Sequence, residues 1–153
     1  MAAALLLGAC YGSDTNLTES GKGRPEVAVE FPASVEPGST QTAFLDITNP
    51  GPGDIDRLLV TFSLRGGVDN PIVGVGAKGE NPNVVGIQPA PLKVSPDGII
   101  YHFEGIEEGE STVIEFELTV PMTPGVVGNS VIVSDAQELD RARGVLLRTT
   151  VTR

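Results

Sequence analysis

Tryptophan is missing from this 153-residue chain, and cysteine and histidine each occur once. One Cys excludes an internal disulfide framework. One Cys with one His cannot assemble a four-ligand structural zinc site or a blue-copper centre. Cations are scarce too: Lys and Arg number 10 against 20 Asp and Glu, a net charge of -10. Such a field repels phosphate backbones and anionic surfaces, which excludes nucleic acid as a partner. No apolar run approaches the roughly 20 residues that a transmembrane helix needs. No window sustains a 3.6-residue period, so amphipathic helices are not expected.

What is present suits strands. Hydrophobic residues make up 40% of the chain, enough for a core, while 19 Gly and 12 Pro punctuate it. The length allows one domain of ordinary size. Period-two alternation recurs in short runs separated by turn residues. Residues 26–31 (EVAVEF) set Val27, Val29 and Phe31 on one face, and residues 41–49 (QTAFLDITN) turn Ala43, Leu45 and Ile47 inward. Residues 57–65 (RLLVTFSLR) do the same with Leu58, Val60, Phe62 and Leu64, and these last two runs are expected to pair. Further strands are expected around Ile99, Tyr101 and Phe103, over 112–120 (TVIEFELTV), over 131–134 and over 145–152. Residues 66–97, interrupted by Gly and Pro, read as edge strands and loops. Turn signals at roughly 8 to 12 residue spacing predict an all-β fold, an antiparallel β-sandwich of about seven to nine strands.

Two turn phrases carry a resemblance. Val35-Glu-Pro-Gly-Ser-Thr40 leads into TAFLDITNPGPGDID, and Ile106-Glu-Glu-Gly-Glu-Ser-Thr112 leads into VIEFELTVPMTPG. Over 25–153 this pattern resembles the bacterial immunoglobulin-like modules of the DUF11 and CARDB type. The resemblance implies an immunoglobulin-like sandwich acting as a spacer, adhesion unit or protein- or glycan-binding attachment. It carries no catalytic residues. A cohesin-like jelly roll is the alternative fold.

The chain opens on an apolar run ending in Leu7-Gly8-Ala9-Cys10 and then turns polar. This resembles the lipobox of bacterial lipoproteins, in which small residues precede the cut and the cysteine takes a diacylglyceryl group. The resemblance implies lipidation at Cys10, with no membrane contact but this anchor, and an extracytoplasmic address on the cell envelope or surface. A free cysteine in a disordered tail is the alternative. Residues 11–24 (YGSDTNLTESGKGR) lack the apolar content to fold by themselves and read as a flexible tether. The plan is therefore a signal and lipobox segment over 1–10, a tether over 11–24 and an immunoglobulin-like β-sandwich over 25–153. Its expected function is that of a non-catalytic envelope module. The alternatives are an accessory subunit of an envelope assembly or a small carboxylate-based hydrolase.

Candidate chemistry is thin. His102 shares a strand face with Glu104, but no nucleophile motif accompanies it. Glu115 and Glu117 stand two apart on one strand, about 6.6 to 7 Å by strand geometry, a spacing open to an inverting glycosidase. A solvated outer face explains the same pair without chemistry. Asp54 with Asp56, and separately Asp135, Glu138 and Asp140, offer oxygen ligands of the kind calcium takes, without EF-hand spacing. Met122 has no second sulfur or histidine nearby in sequence to make a copper site. No cofactor is expected, calcium being the one candidate.

Overall fold

In the computed structural model, the residues described are 25–64, 70–73 and 90–153, together with the backbone course of 15–19. Cys10, with all of 1–14, lies outside them. Among the described residues, ten strands form two sheets, making an immunoglobulin-like all-β sandwich. The smaller sheet has the order β1 (Thr15–Glu19), β2 (Glu26–Pro32), β4 (Thr40–Thr48), β8 (Ser111–Thr119). The larger has β3 (Ser34–Val35), β10 (Arg143–Val151), β9 (Gly125–Asp135), β5 (Ile55–Ser63), β7 (Gly98–Ile106), β6 (Lys93–Ser95). In chain order, β2, β4 and β8 stand where strands A, B and E stand in an immunoglobulin sandwich, and β5, β9 and β10 where C, F and G stand.

Alternation builds the core. Val27, Val29, Phe31, Ala43, Leu45, Ile47, Ile114, Phe116 and Leu118 point inward from the smaller sheet and are buried. Leu58, Val60, Phe62, Ile99, Tyr101, Val131, Val133, Val145 and Leu147 meet them from the larger. Phe62 is the hub. Its ring stands edge-to-face to Phe116 across the sheets at 5.0 Å and to Tyr101 on the neighbouring strand at 5.8 Å.

The two turn phrases are the same device. At Glu36-Pro37-Gly38-Ser39 and at Glu107-Glu108-Gly109-Glu110, the fourth N–H donates to the first carbonyl at 3.2 and 3.0 Å. Gly38 and Gly109 occupy the third position at φ 67° and 82°, the geometry of a type II turn, which favours glycine there. The strands they launch, β4 and β8, pair antiparallel along their full length.

Three expectations change. Residues 41–49 and 57–65 do not pair. β4 lies between β2 and β8, while β5 lies between β9 and β7 in the other sheet. The Pro- and Gly-laden segment 49–54 carries the chain across the sandwich instead of closing a hairpin. The tether over 11–24 is interrupted by β1, antiparallel to β2 with Thr15 opposite Pro32 and Glu19 opposite Ala28. Composition hides it because its ordering comes from the edge of β2, which supplies a ladder to a Thr-bearing segment. β9 extends well before 131, through Gly125, Gly128 and Asn129. Gly128 is required there: a side chain would collide with the Leu147 carbonyl.

Between β2 and β3 the chain moves from one sheet to the other at Pro32-Ala33. The carbonyls stranded at this switch are collected by β10. Thr149 Oγ1 donates to Pro32 O at 2.6 Å, and the Thr150 N–H donates to Ala33 O at 3.0 Å. Phe62→Ala removes the ring that joins both sheets and is expected to cost about 3–5 kcal/mol of unfolding free energy. Urea denaturation would show this as a lowered midpoint at unchanged slope; a loss under about 1 kcal/mol would mean the hub assignment is wrong.

Candidate functional site

Strand directions bring three connections to one end of the sandwich: 49–54 between β4 and β5, 107–110 between β7 and β8, and 136–142 between β9 and β10. All the carboxylates considered for calcium gather there. Asn49 organises the end. It is fully buried at 0% exposure, and its Nδ2 donates to Gly53 O and to Ile106 O, each at 2.9 Å. Its Oδ1 accepts from the Gly51 N–H at 3.1 Å. Its backbone N–H and C=O bond to Glu110 O and the Gly109 N–H at 3.0 and 2.7 Å. One residue thereby ties the crossing that leaves β4 to the crossing that enters β8.

The acidic side chains of this end close the same knot. Asp54 Oδ1 accepts from the Glu108 N–H at 2.9 Å, and Glu108 Oε2 accepts from the Gly53 N–H at 2.7 Å, a reciprocal clasp between two loops. Gln137 joins the other pair, donating through Nε2 to Asp56 Oδ2 at 2.7 Å and through its backbone N–H to Asp135 Oδ1 at 3.0 Å. Glu138 meets Arg141 at 3.5 Å beside the 3₁₀ turn Leu139–Arg141, which also contains Asp140. Asp54, Asp56 and Asp135 each spend an oxygen on a turn donor, and no three Asp, Glu, Cys or His side chains converge among the described residues. The arrangement is that of loop staples.

The opposite end has its own buried carboxamide. Asn129, 1% exposed, accepts through Oδ1 from the N–H groups of Ile72 and Val73 at 3.0 and 3.1 Å. It draws this short piece of the 66–97 segment into the sandwich, where both side chains are fully buried. Next to it lies a shallow cavity of about 210 Å³ lined by Asn70, Pro71, Pro121, Thr123, Pro124, Gly125 and Val127. Its described lining has no titratable side chain. Residues 65–69 and 74–89, most of the remaining 66–97 region, lie outside the described residues.

The other candidates are kept apart. His102 and Glu104 stand on β7, on the face opposite the inward Tyr101 and Phe103. Glu115 and Glu117 are exposed on β8, on the outer face of the other sheet. The two sets are separated by the core, so His102 does not share a cleft with the paired glutamates. Met122 is 74% exposed, its thioether lying over Gly38.

Asn49 and Asn129 were both open to sequence reasoning. Each falls on the inward parity of its strand, Asn49 after Ala43, Leu45 and Ile47, and Asn129 between Val127 and Val131. A polar residue at an inward position must find buried partners.

No protein-family model and no curated protein matches this chain. Among solved structures, the alkylpurine DNA glycosylase AlkC of Pseudomonas fluorescens, bound to DNA containing an abasic site analog, is similar at 12% identity and a TM-score of 0.41. The match covers 93% of this chain and 31% of that one. A β-glucosidase from Listeria innocua in complex with isofagomine is similar at 15% identity and a TM-score of 0.42, over 87% of this chain and 17% of that one. Likenesses this distant carry no argument about activity, substrate or partner.

Asn49→Ala leaves two carbonyls and one N–H of the knot without their side-chain partner, and is expected to destabilise by about 3 kcal/mol or more. Denaturant unfolding reads this directly, and a loss below about 1 kcal/mol would show that the crossings hold without it. Because Asp54, Asp56, Glu108 and Asp135 are engaged as staples, millimolar calcium and EDTA are expected to leave the same thermal midpoint. A midpoint that climbs with calcium concentration would restore the ion as a ligand of the folded state.

Proposed function

We propose that this protein is a non-catalytic module of the bacterial cell envelope, anchored by lipid at Cys10 and presenting its sandwich to a protein or glycan partner. The observation that carries this reading is Leu7-Gly8-Ala9-Cys10, with the chain's only cysteine at the position the lipobox requires. The thiol is the best nucleophile available for lipid transfer.

The fold adds support in its polarity. β1 begins at Thr15, opposite Pro32, so five residue steps separate it from Cys10, a reach of at most about 18 Å. That end of the sandwich also holds the 120–124 connection and the end of β10. Asp54, Glu107, Glu108, Glu110, Glu138 and Asp140 sit at the far end. A lipid at Cys10 therefore keeps the most acidic loops away from an anionic bilayer surface, the arrangement with the lower electrostatic cost.

Expression of the full chain in a bacterium, beside Cys10→Ala, tests the anchor. Wild type is expected in the membrane fraction, at an intact mass showing loss of residues 1–9 and gain of acyl chains, with the variant soluble and unacylated. Equal partitioning of the two, or an unacylated wild type, would overturn the reading.

A further inference from the structure

The smaller sheet ends on β1 at one edge and on β8 at the other. β8 pairs with β4 through nine consecutive positions without a bulge, from Thr40 opposite Thr119 to Thr48 opposite Ser111. Among the described residues, no strand pairs with its other side. The direction of its open groups follows from the ends of the ladder. The Asn49 N–H donates to Glu110 O, and the Val120 N–H donates to Ser39 O. An antiparallel ladder alternates, so residues 112, 114, 116 and 118 aim their N–H and C=O at β4, while Val113, Glu115 and Glu117 aim theirs at the open edge.

The facing sheet is wider than this edge. β10 packs on β2 and Phe62 of β5 packs on Phe116 of β8, so β7 and β6 project past β8. Phe103 lies opposite Leu58 and Val94 opposite Ile99, which sets both on the inward face. Leu58 and Ile99 are fully buried, whereas Phe103 and Val94 are only partly covered. A strand added beside β8 would cover this shelf.

Chemistry decides which strand. β8 (STVIEFELT) has no proline, lysine or bulge to blunt its edge, and its only charges are two glutamates. On its outer face it carries Glu115 and Glu117. Two copies pairing β8 to β8 antiparallel, centred on this stretch, set glutamate opposite glutamate, which is destabilising. The same charges attract Lys or Arg on a foreign strand. We propose that β8 is a β-augmentation edge for an extended segment of a partner protein, with Lys or Arg at alternate positions facing Glu115 and Glu117 and apolar residues between them covering Phe103 and Val94. This names the surface by which the module takes its partner and rests on that reading.

The test uses the full chain carrying Cys10→Ala, so that the lipid anchor plays no part and its failure cannot be confused with failure of the edge. The probes are two capped nine-residue peptides, one alternating Val and Lys, the other Val and Glu. Calorimetry is expected to show saturable one-to-one binding of the Val-Lys peptide alone, with slowed amide exchange at Val113, Glu115 and Glu117. Glu115→Pro deletes an outward N–H without removing a donor to β4, and is expected to weaken binding at least about tenfold. The double variant Glu115→Lys with Glu117→Lys is expected to prefer the Val-Glu peptide, and decides the matter if the proline variant does not fold. Absence of saturable binding, equal binding by Glu115→Pro, or an unchanged preference in the double variant overturns the proposal. So does a concentration-dependent dimer protecting these amides, which would assign the edge to a second copy. Protection of the same amides in the isolated monomer would assign it to this chain itself.

Discussion

Where β4 ends, the chain has to leave one sheet for the other, and a segment that crosses cannot satisfy its backbone groups in a ladder. The Asn49 carboxamide meets two of those groups, the Gly51 N–H and the Gly53 carbonyl, together with the Ile106 carbonyl at the end of β7, and the Asn49 backbone meets the turn that launches β8. Because the chain returns from the larger sheet to the smaller at that turn, the outward and return crossings are fixed against each other. The staples from Asp54 and Glu108 only make sense on top of this, since they join loops that Asn49 has already brought together. Buried amides satisfied at every atom are costly to disturb, because each orphaned partner keeps its full desolvation penalty. The registry of β4 with β8, and through Phe116 the seating of Phe62, follows from that constraint.

The carboxylates of the same end illustrate how hydrogen bonding to loop donors engages residues that by type alone suggest a cation site. By residue type alone, Asp54, Asp56, Asp135, Glu138 and Asp140 present the hard oxygens that calcium takes. A calcium shell needs several of them pointing at one centre. Here Asp54 turns to the Glu108 N–H, while Asp56 and Asp135 turn to the side chain and the N–H of Gln137, so their oxygens go to donors of two different loops. Acidic residues in turns accept backbone donors readily, which is why turn-rich sequences accumulate them with or without a metal.

Parity made most of the sandwich legible. The inward stripes of β2, β4, β5 and β8 were readable because each sets an aliphatic or aromatic residue at every second position, and the same rule extended by one step would have found Asn49. What parity cannot supply is which strand lies beside which. Residues 41–49 and 57–65 looked like a hairpin because they are consecutive, yet the 49–54 crossing places them in different sheets. The first half of β9 was invisible for the opposite reason: Gly125, Gly128 and Asn129 are poor strand formers, Gly128 being required because the backbone of β10 passes too close for a side chain there and Asn129 because it has Ile72 and Val73 to hold. β1 was hidden because its order is borrowed from β2. The anchor proposed at Cys10 would be a covalent modification, and no packing argument reaches it.

Among the described residues, the four sheet edges show unequal treatment. β3 is two residues long, and β6 is three, begins with Lys93 and stops before Pro96. β1 is five residues. Short edges of this kind offer few ladder bonds to a stray strand and are a common defence against aggregation. β8 has nine residues, in regular register with β4, and an edge of that length without a defence would recruit any exposed strand. Its glutamates make recruitment conditional on charge, excluding acidic strands and copies of itself while leaving the backbone groups in place. In a chain with a net charge of -10, most of its own surface fails the same condition. An edge with those two properties, open by geometry and closed to its own kind by charge, is built to discriminate between strands.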